Sequence, residues 1–271
     1  MMFTKLLPLL CLMLLAGTAL GETRLGAAPA QGALVFGRTA PGATILLDDR
    51  EVRADARGRF VLGFGRDAAP SARLSIQHPD GSLEVQRLRV APRQYAIQRI
   101  DGIEKKFMDL DAATLERVRA EQRQASEARS VQSDLSHAFE DFTWPVKGPV
   151  TGVYGSQRIF NGQPRRPHYG IDIAAARGTP VLAPAGGRVT LAHPDMFFSG
   201  GTLILDHGRG VFSSFLHLSE IGVQVGQMVA RGEEIGRVGA TGRVTGAHLD
   251  WRLNWFDRHL DPARLLPPMT P

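Results

Sequence analysis

The chain has 271 residues, 43% of them hydrophobic and 22% charged, with a formal net charge of +5. These proportions exclude a disordered chain and a multi-span membrane protein, and the length suffices for roughly two domains. Of the 32 basic residues 28 are arginine, since only Lys5, Lys105, Lys106 and Lys147 are lysines. Such a charge balance suits a polyanionic surface such as a cell wall or membrane, and no motif calls for nucleic acid.

The first segment, MMFTKLLPLLCLMLLAGTALGE, has one positive charge at Lys5, an apolar run from Leu6 to Leu15, and small residues at Ala19 and Gly21. It reads as a secretory signal peptide over residues 1–21, because the apolar run is too short for a stable membrane span. The expected location is therefore the periplasm or cell envelope, with no stable span after cleavage and a net charge reduced from +5 to +4. Cys11, the single cysteine, falls in that segment without the Leu-Ala-Gly-Cys order of a lipoprotein signal. A mature chain without thiols must build any metal site from His, Asp and Glu.

Residues 22–102 read as a small β-rich accessory domain of sandwich type. Alternating stretches such as GALVFGR, ATILLDD, GRFVLGF, ARLSIQH and LEVQRLRV are separated by turn residues at Pro41-Gly42, Asp48-Asp49 and Asp80-Gly81. His78, alone before a turn, reads as a surface residue. Residues 103–143 read as a helical connector, with helix expected from Ile103 to about Phe139 and Asp111 as a plausible N-cap. Its apolar positions are sparse, so it has a thin buried stripe, a wide charged face, and His137 on the surface.

From residue 144 to 271 the pattern returns to β. Stretches such as TPVLAPA, RVTLAH, TLILDH, VFSSFLHL and HLDWRLNW alternate with Gly-rich turns, which argues an antiparallel sheet. Six of the eight histidines fall here. In HYGID, His168 and Asp172 at i and i+4 of an extended strand would share a face; His248 and Asp250, at i and i+2, would do the same. His217 follows a β-type run between them. Three ligands drawn from His, Asp and Glu, with a position left open, are the pattern of hydrolytic zinc sites.

The runs HYGIDIAAARGTPVLAPAGGRV, GGTLILDHGRGVFSSFLHLS and VGQMVARGEEIGRVGATGRVTGAHLDW resemble the lysostaphin/LytM-type zinc endopeptidases, the M23 peptidases that cut peptidoglycan peptides. The resemblance spans about residues 144–262. It implies that His168 and Asp172 ligate Zn2+ and that His217 and His248 are the catalytic imidazoles. The usual third ligand, two residues after His248, is histidine; this chain has Asp250 there.

Aspartate is an accepted zinc ligand, so the site can still close. Two carboxylates with one neutral imidazole would cancel the ion's charge, and a slower enzyme or a higher pH optimum is the expectation. The alternative implied by the departure is an inactive LytM-like domain that binds and activates a cell-wall amidase or another envelope protein. A third likeness, of VQVGQMVARGEEIGRVG to biotinyl or lipoyl carrier hairpins, fails because no lysine follows Lys147. His207 reads as a supporting residue, and His193 and His259 as surface residues. Tyr154, Arg158 and Asn161 are candidates to line the cleft, and Met196-Phe197-Phe198 reads as buried packing.

Overall fold

The computed structural model describes residues 22–101 and 110–269; the expected signal segment and the first part of the expected helix lie outside them. The N-terminal strands are β1 (Arg24–Leu25), β2 (Leu34–Arg38), β3 (Thr44–Leu47), β4 (Arg50–Arg53), β5 (Arg59–Gly63), β6 (Ser71–Gln77), β7 (Leu83–Arg89) and β8 (Ile97–Ile100). Helix α1 (Ala112–Ala128) follows. The C-terminal strands are β9 (Val150–Gly152), β10 (Gln157–Phe160), β11 (Gln163–Pro164), β12 (Ile171–Ala174), β13 (Pro180–Leu182), β14 (Gly187–Met196) and β15 (Gly200–Gly208). They continue with β16 (Val211–Ile221), β17 (Met228–Val229), β18 (Glu234–Val238), β19 (His248–Trp255) and β20 (Arg258–Leu260).

The N-terminal half forms a three-stranded sheet, β1-β2-β5, and a four-stranded sheet, β4-β3-β6-β7. Alternation drives the arrangement: Ile45 and Leu47 on β3, Phe60 and Leu62 on β5, and Leu74 and Ile76 on β6 are all buried. The expected turns carry the left-handed residues they need, Gly42, Asp48 and Gly81. His78 departs from expectation. It is 8% exposed and its Nε2 lies 3.2 Å from Glu84 Oε2, a carboxylate on the next strand.

The C-terminal half is built on a mostly antiparallel sheet with the path β17-β14-β15-β16-β19-β12-β9, to which β13, β18 and β20 add at the sides. β15 is buried at every position, as a central strand covered on both faces should be. The two halves share one core, which runs from Ile45 and Phe60 through Tyr154 to Trp251 and Trp255. Gly63 shows how close the approach is, because a Cβ there would lie 2.5 Å from Trp255 Cβ. β8 also pairs in parallel with β10, so the end of the accessory unit joins the C-terminal half.

The helix is shorter than its pattern suggests. Asp111 caps it by accepting from the Thr114 amide at 2.9 Å, but α1 stops at Ala128 and only a 3-10 turn at His137–Phe139 follows. Past Ala128 the bonding changes: Ser130 Oγ donates to Glu127 O, and the backbone carbonyl of Ser133 accepts from Arg209 N in the turn between β15 and β16. Ala128 packs with Ile204 and Phe212 in a small satellite cluster, which lays α1 on the sheet.

Candidate metal and active site

The register of the sheet brings the proposed ligands together. β12 and β19 are antiparallel with Asp172 opposite Asp250 and Ala174 opposite His248, so the two aspartates are cross-strand neighbours on one face. His168 precedes β12 and is not on a strand. Its backbone is fixed by two bonds to the preceding turn, His168 N to Ser156 O and Gly155 N to His168 O. The i, i+4 pairing expected from an extended HYGID is thus made by a loop that folds onto the strand, with His168 Nε2 3.2 Å from Asp172 Oδ1.

Single ligand atoms from His168, Asp172 and Asp250 all lie within 4.8 Å of one another. Two glycines leave the space. A Cβ at Gly170 would fall 2.3 Å from Asp250 Oδ1, and one at Gly152 would fall 2.1 Å from Asp172 Oδ2. His168 Nε2 is buried and makes no hydrogen bond despite its nearness to a carboxylate. An unsatisfied imidazole nitrogen facing two carboxylates fits a divalent cation, and the hard and borderline donors present are those zinc accepts.

His217 and His248 flank this group, with ring centroids 4.9 Å apart. Each Nδ1 meets a backbone carbonyl, His217 with Thr241 O and His248 with Gly246 O, both at 2.9 Å. Those acceptors place the proton on Nδ1 and leave each Nε2 with a free lone pair. Burial pushes the His217 pKa down, opposed by the Thr241 carbonyl and the Asp250 charge, which favours the neutral ring. His248 Nε2 is 3.8 Å from Asp172 Oδ1.

His217 reaches the cleft through an unusual backbone. Leu216 is opposite Asp250 in the β16–β19 register, so plain alternation would send His217 to the other face. Instead His217 has φ +67°, and Leu216 and His217 line the same cavity. The left-handed conformation of a non-glycine residue is strain held by its surroundings, and here it aims an imidazole.

Arg252 is a site neighbour that the sequence motifs do not single out. Two residues beyond Asp250 on the same face, its Nε donates to both Asp250 oxygens at 3.1 Å and its Nη2 donates to Oδ2 at 2.6 Å. Burial alone would raise the Asp250 pKa, but the Arg252 charge and hydrogen bonds outweigh it and hold the carboxyl below its usual range. The signal available was the HLDWR spacing, which puts an arginine and an aspartate at i and i+2 of one strand.

The remaining candidates divide. His207 is fully buried, with Nδ1 2.7 Å from Gly186 O and Nε2 2.8 Å from Ser213 Oγ, and Trp251 Nε1 donates to the same hydroxyl. It supports the sheet beneath the site. His259 is not on the free surface: it stacks on Tyr169 at 4.2 Å and lines the cavity with His217. His137 and His193 are half-buried. Tyr154 is core, 2% exposed, and its hydroxyl donates to His259 O. Arg158 belongs to the small sheet of β8, β10 and β11, and Asn161 to the turn that joins β10 to β11. Met196 is buried as expected, whereas Phe198 is 39% exposed; both border the cavity.

Comparison with known proteins identifies the family to which this fold belongs. The model of Peptidase family M23 matches residues 166–262, and the chain carries a domain of that family. The crystal structure of a putative peptidase M23 from Pseudomonas aeruginosa superimposes with a TM-score of 0.70 at 29% identity, covering 88% of this chain and 95% of that one. Peptidoglycan DD-endopeptidase ShyA of Vibrio cholerae is 34% identical over 139 residues, which are 50% of this chain and 32% of that protein. Murein hydrolase activator NlpD of Escherichia coli is 29% identical over 132 residues, 49% of this chain and 33% of that protein. The chain thus spans about a third of these curated relatives. Among the described residues no helix is long and apolar enough to cross a membrane.

Proposed function

We propose that the chain is an exported zinc-dependent endopeptidase that hydrolyses peptide cross-links of peptidoglycan, with residues 22–102 as an accessory domain, 103–143 as connector and 144–271 as peptidase domain. The observation that carries this reading is the convergence of His168, Asp172 and Asp250 within 4.8 Å, beside two imidazoles with free Nε2 atoms. His168, Asp172 and Asp250 would hold the zinc. The ion would supply Lewis acidity and an activated nucleophilic water.

The chain's own residues supply the rest. One of the imidazoles, His217 or His248, takes a proton at Nε2; the other, when it carries a proton on both ring nitrogens, donates a hydrogen bond or that Nε2 proton to the tetrahedral species. The carbonyls of Thr241 and Gly246 accept from Nδ1 and stabilise each ring when it becomes charged. Arg252 alters the charge balance expected from two carboxylates and one histidine. With its guanidinium on Asp250, the ligand set carries a single net negative charge, like that of two histidines and one aspartate. This charge balance argues against the slower turnover or higher pH optimum expected from two carboxylates.

A second reading, a metal-free domain that activates a cell-wall amidase, has one observation in its favour. Both Asp250 oxygens are engaged by Arg252. Metal analysis of the mature protein together with digestion of purified sacculi separates the two. Zinc near one per chain, lost in Asp172→Ala, with digestion abolished in His217→Ala, supports the enzyme; zinc-free protein that stimulates an amidase without digesting sacculi overturns it.

A further inference from the structure

Helix α1 does not close down on the sheet. Between them lies a cavity of about 310 Å3 that His217 and Arg252 border on the sheet side and Arg129 borders at the end of the helix. Arg166, two residues before the first proposed metal ligand, borders it as well. The cavity is therefore continuous with the catalytic imidazole.

Its electrostatics are one-sided. Arg129 is half-buried, and among the described residues its guanidinium has no hydrogen-bond or ion-pair partner; burial, with Arg252 and Arg166 nearby, pushes its pKa down to about 10. Arg166 meets only neutral rings, the His259 Nε2 at 3.3 Å and the face of Tyr169. The carboxylate at the rim, Glu121, is already taken by Arg117 Nε at 2.7 Å and the Phe197 amide at 2.8 Å. Asp250 is likewise taken by Arg252. Two guanidiniums are left facing a cavity with no anion to balance them.

A hydroxyl points to the same vacancy in the bonding. Ser214 lines the cavity, is 3% exposed, and has an Oγ that is buried with no hydrogen-bond partner. It is the cross-strand partner of Arg252. A buried donor without an acceptor costs stability, so a ligand that accepts from Ser214 Oγ and meets the half-buried Arg129 and the exposed Arg166 is the economical explanation for the arrangement.

We propose that this cavity is a subsite for a carboxylate of the substrate peptide, bound by Arg129 and Arg166 with Ser214 donating a further hydrogen bond. The proposal rests on the reading of the chain as a peptidoglycan peptidase. An acidic peptide is favoured over inorganic phosphate because Leu216 and Ile204 give the same cavity an apolar wall, which suits an aliphatic stem ending in a carboxylate. The position beside His217 would seat that group near the scissile bond and orient it.

The test is binding to the full mature chain, measured by calorimetry, of a peptidoglycan stem peptide with free carboxylates, the same peptide with its carboxylates amidated, and inorganic phosphate. The free acid should bind at least tenfold more tightly than the amide, and Arg129→Met and Arg166→Gln should each remove most of that difference. Arg129→Met should keep or raise Tm, because it discards an unpaired charge; a lower Tm would mark the arginine as structural and overturn the proposal. Equal binding of acid and amide, or phosphate binding as tight as the peptide, would also overturn it. Zinc content and sacculus digestion are read on the same samples. Arginine-dependent binding without digestion would sink the peptidase reading while leaving the carboxylate subsite standing.

Discussion

Asp250 and Arg252, two residues apart on β19, form a three-bond ion pair at the edge of the proposed metal-ligand group, with Nη2 2.6 Å from Oδ2. The pair couples the departure from the usual third histidine to a neighbour that offsets its charge. Arg252→Gln should leave Asp250 buried without a counter-charge and destabilise the metal-free protein by roughly 3 kcal/mol. Added zinc should recover much of that loss, since the ion takes the place of the guanidinium. Thermal unfolding with chelator and with zinc measures both; equal Tm values for the two proteins in chelator would contradict the pairing.

The same coupling changes what Asp250→His does. Histidine would satisfy the family pattern, yet alone it strands the Arg252 charge beside a cation. Asp250→His should therefore bind zinc less well than Asp250→His combined with Arg252→Gln, with a coupling of about 1–2 kcal/mol in a double-mutant cycle. Zinc affinity by competition with a chromophoric chelator gives the numbers, and strict additivity would refute the prediction.

Gly170→Ala should be costly because its Cβ would lie 2.3 Å from Asp250 Oδ1 and 2.8 Å from Trp251 O. The clash is partly with backbone and cannot relax by a rotamer change alone, so a loss of about 2–3 kcal/mol is expected. Zinc content should fall as Asp250 is displaced. An alanine variant with native Tm and native zinc would rule out the close packing described.

At His217 the backbone and the side chain make separable demands. His217→Ala and His217→Gly should both abolish digestion of sacculi, but the glycine variant should be more stable by about 1 kcal/mol because φ +67° suits it. Denaturant midpoints measured side by side test this, and an alanine variant that is the more stable would remove the argument for strain.

Acid stability is set in part by His207. Burial pushes its pKa from 6.5 down to about 4, with the Gly186 carbonyl and Asp206 opposing. The folded ring stays neutral while the unfolded chain takes up a proton. Its contribution is thus complete above pH 6.5, is lost as pH falls from 6.5 to 4, and is constant below that, amounting to about 3 kcal/mol. His259, pushed to about 3 by burial and then by Arg166 and Arg252, acts in the same direction. Imidazole NMR shifts should show His207 unprotonated at pH 5; a ring titrating near 6.5 would contradict the assignment.

Much of the fold was legible because local chemistry and packing agree. The N-terminal turns sit at Gly42, Asp48 and Gly81, and the alternating strands bury their apolar faces in two sheets. The helix is shorter than its pattern because the backbone beyond it bonds elsewhere, the Ser133 carbonyl accepting from Arg209 N across the chain. His78 and His259 lie off the free surface for a related reason: each is covered by elements far away in sequence or by a neighbouring strand, which no local pattern reports.

The sequence by itself determined which side chains are available: His168, Asp172, His217, His248 and Asp250, in an order and Gly-rich setting that match one family of peptidases. It also determined the β periodicity that makes Asp250 and Arg252 share a face. Only the tertiary structure decided that Asp172 stands opposite Asp250, that a left-handed residue turns His217 into the cleft, and that Arg129 and Arg166 meet across a cavity. The physical reason is that strand register, the fold of a loop onto its own strand and the seating of a helix are fixed by contacts between distant segments. Alternation along a single strand carries no record of them.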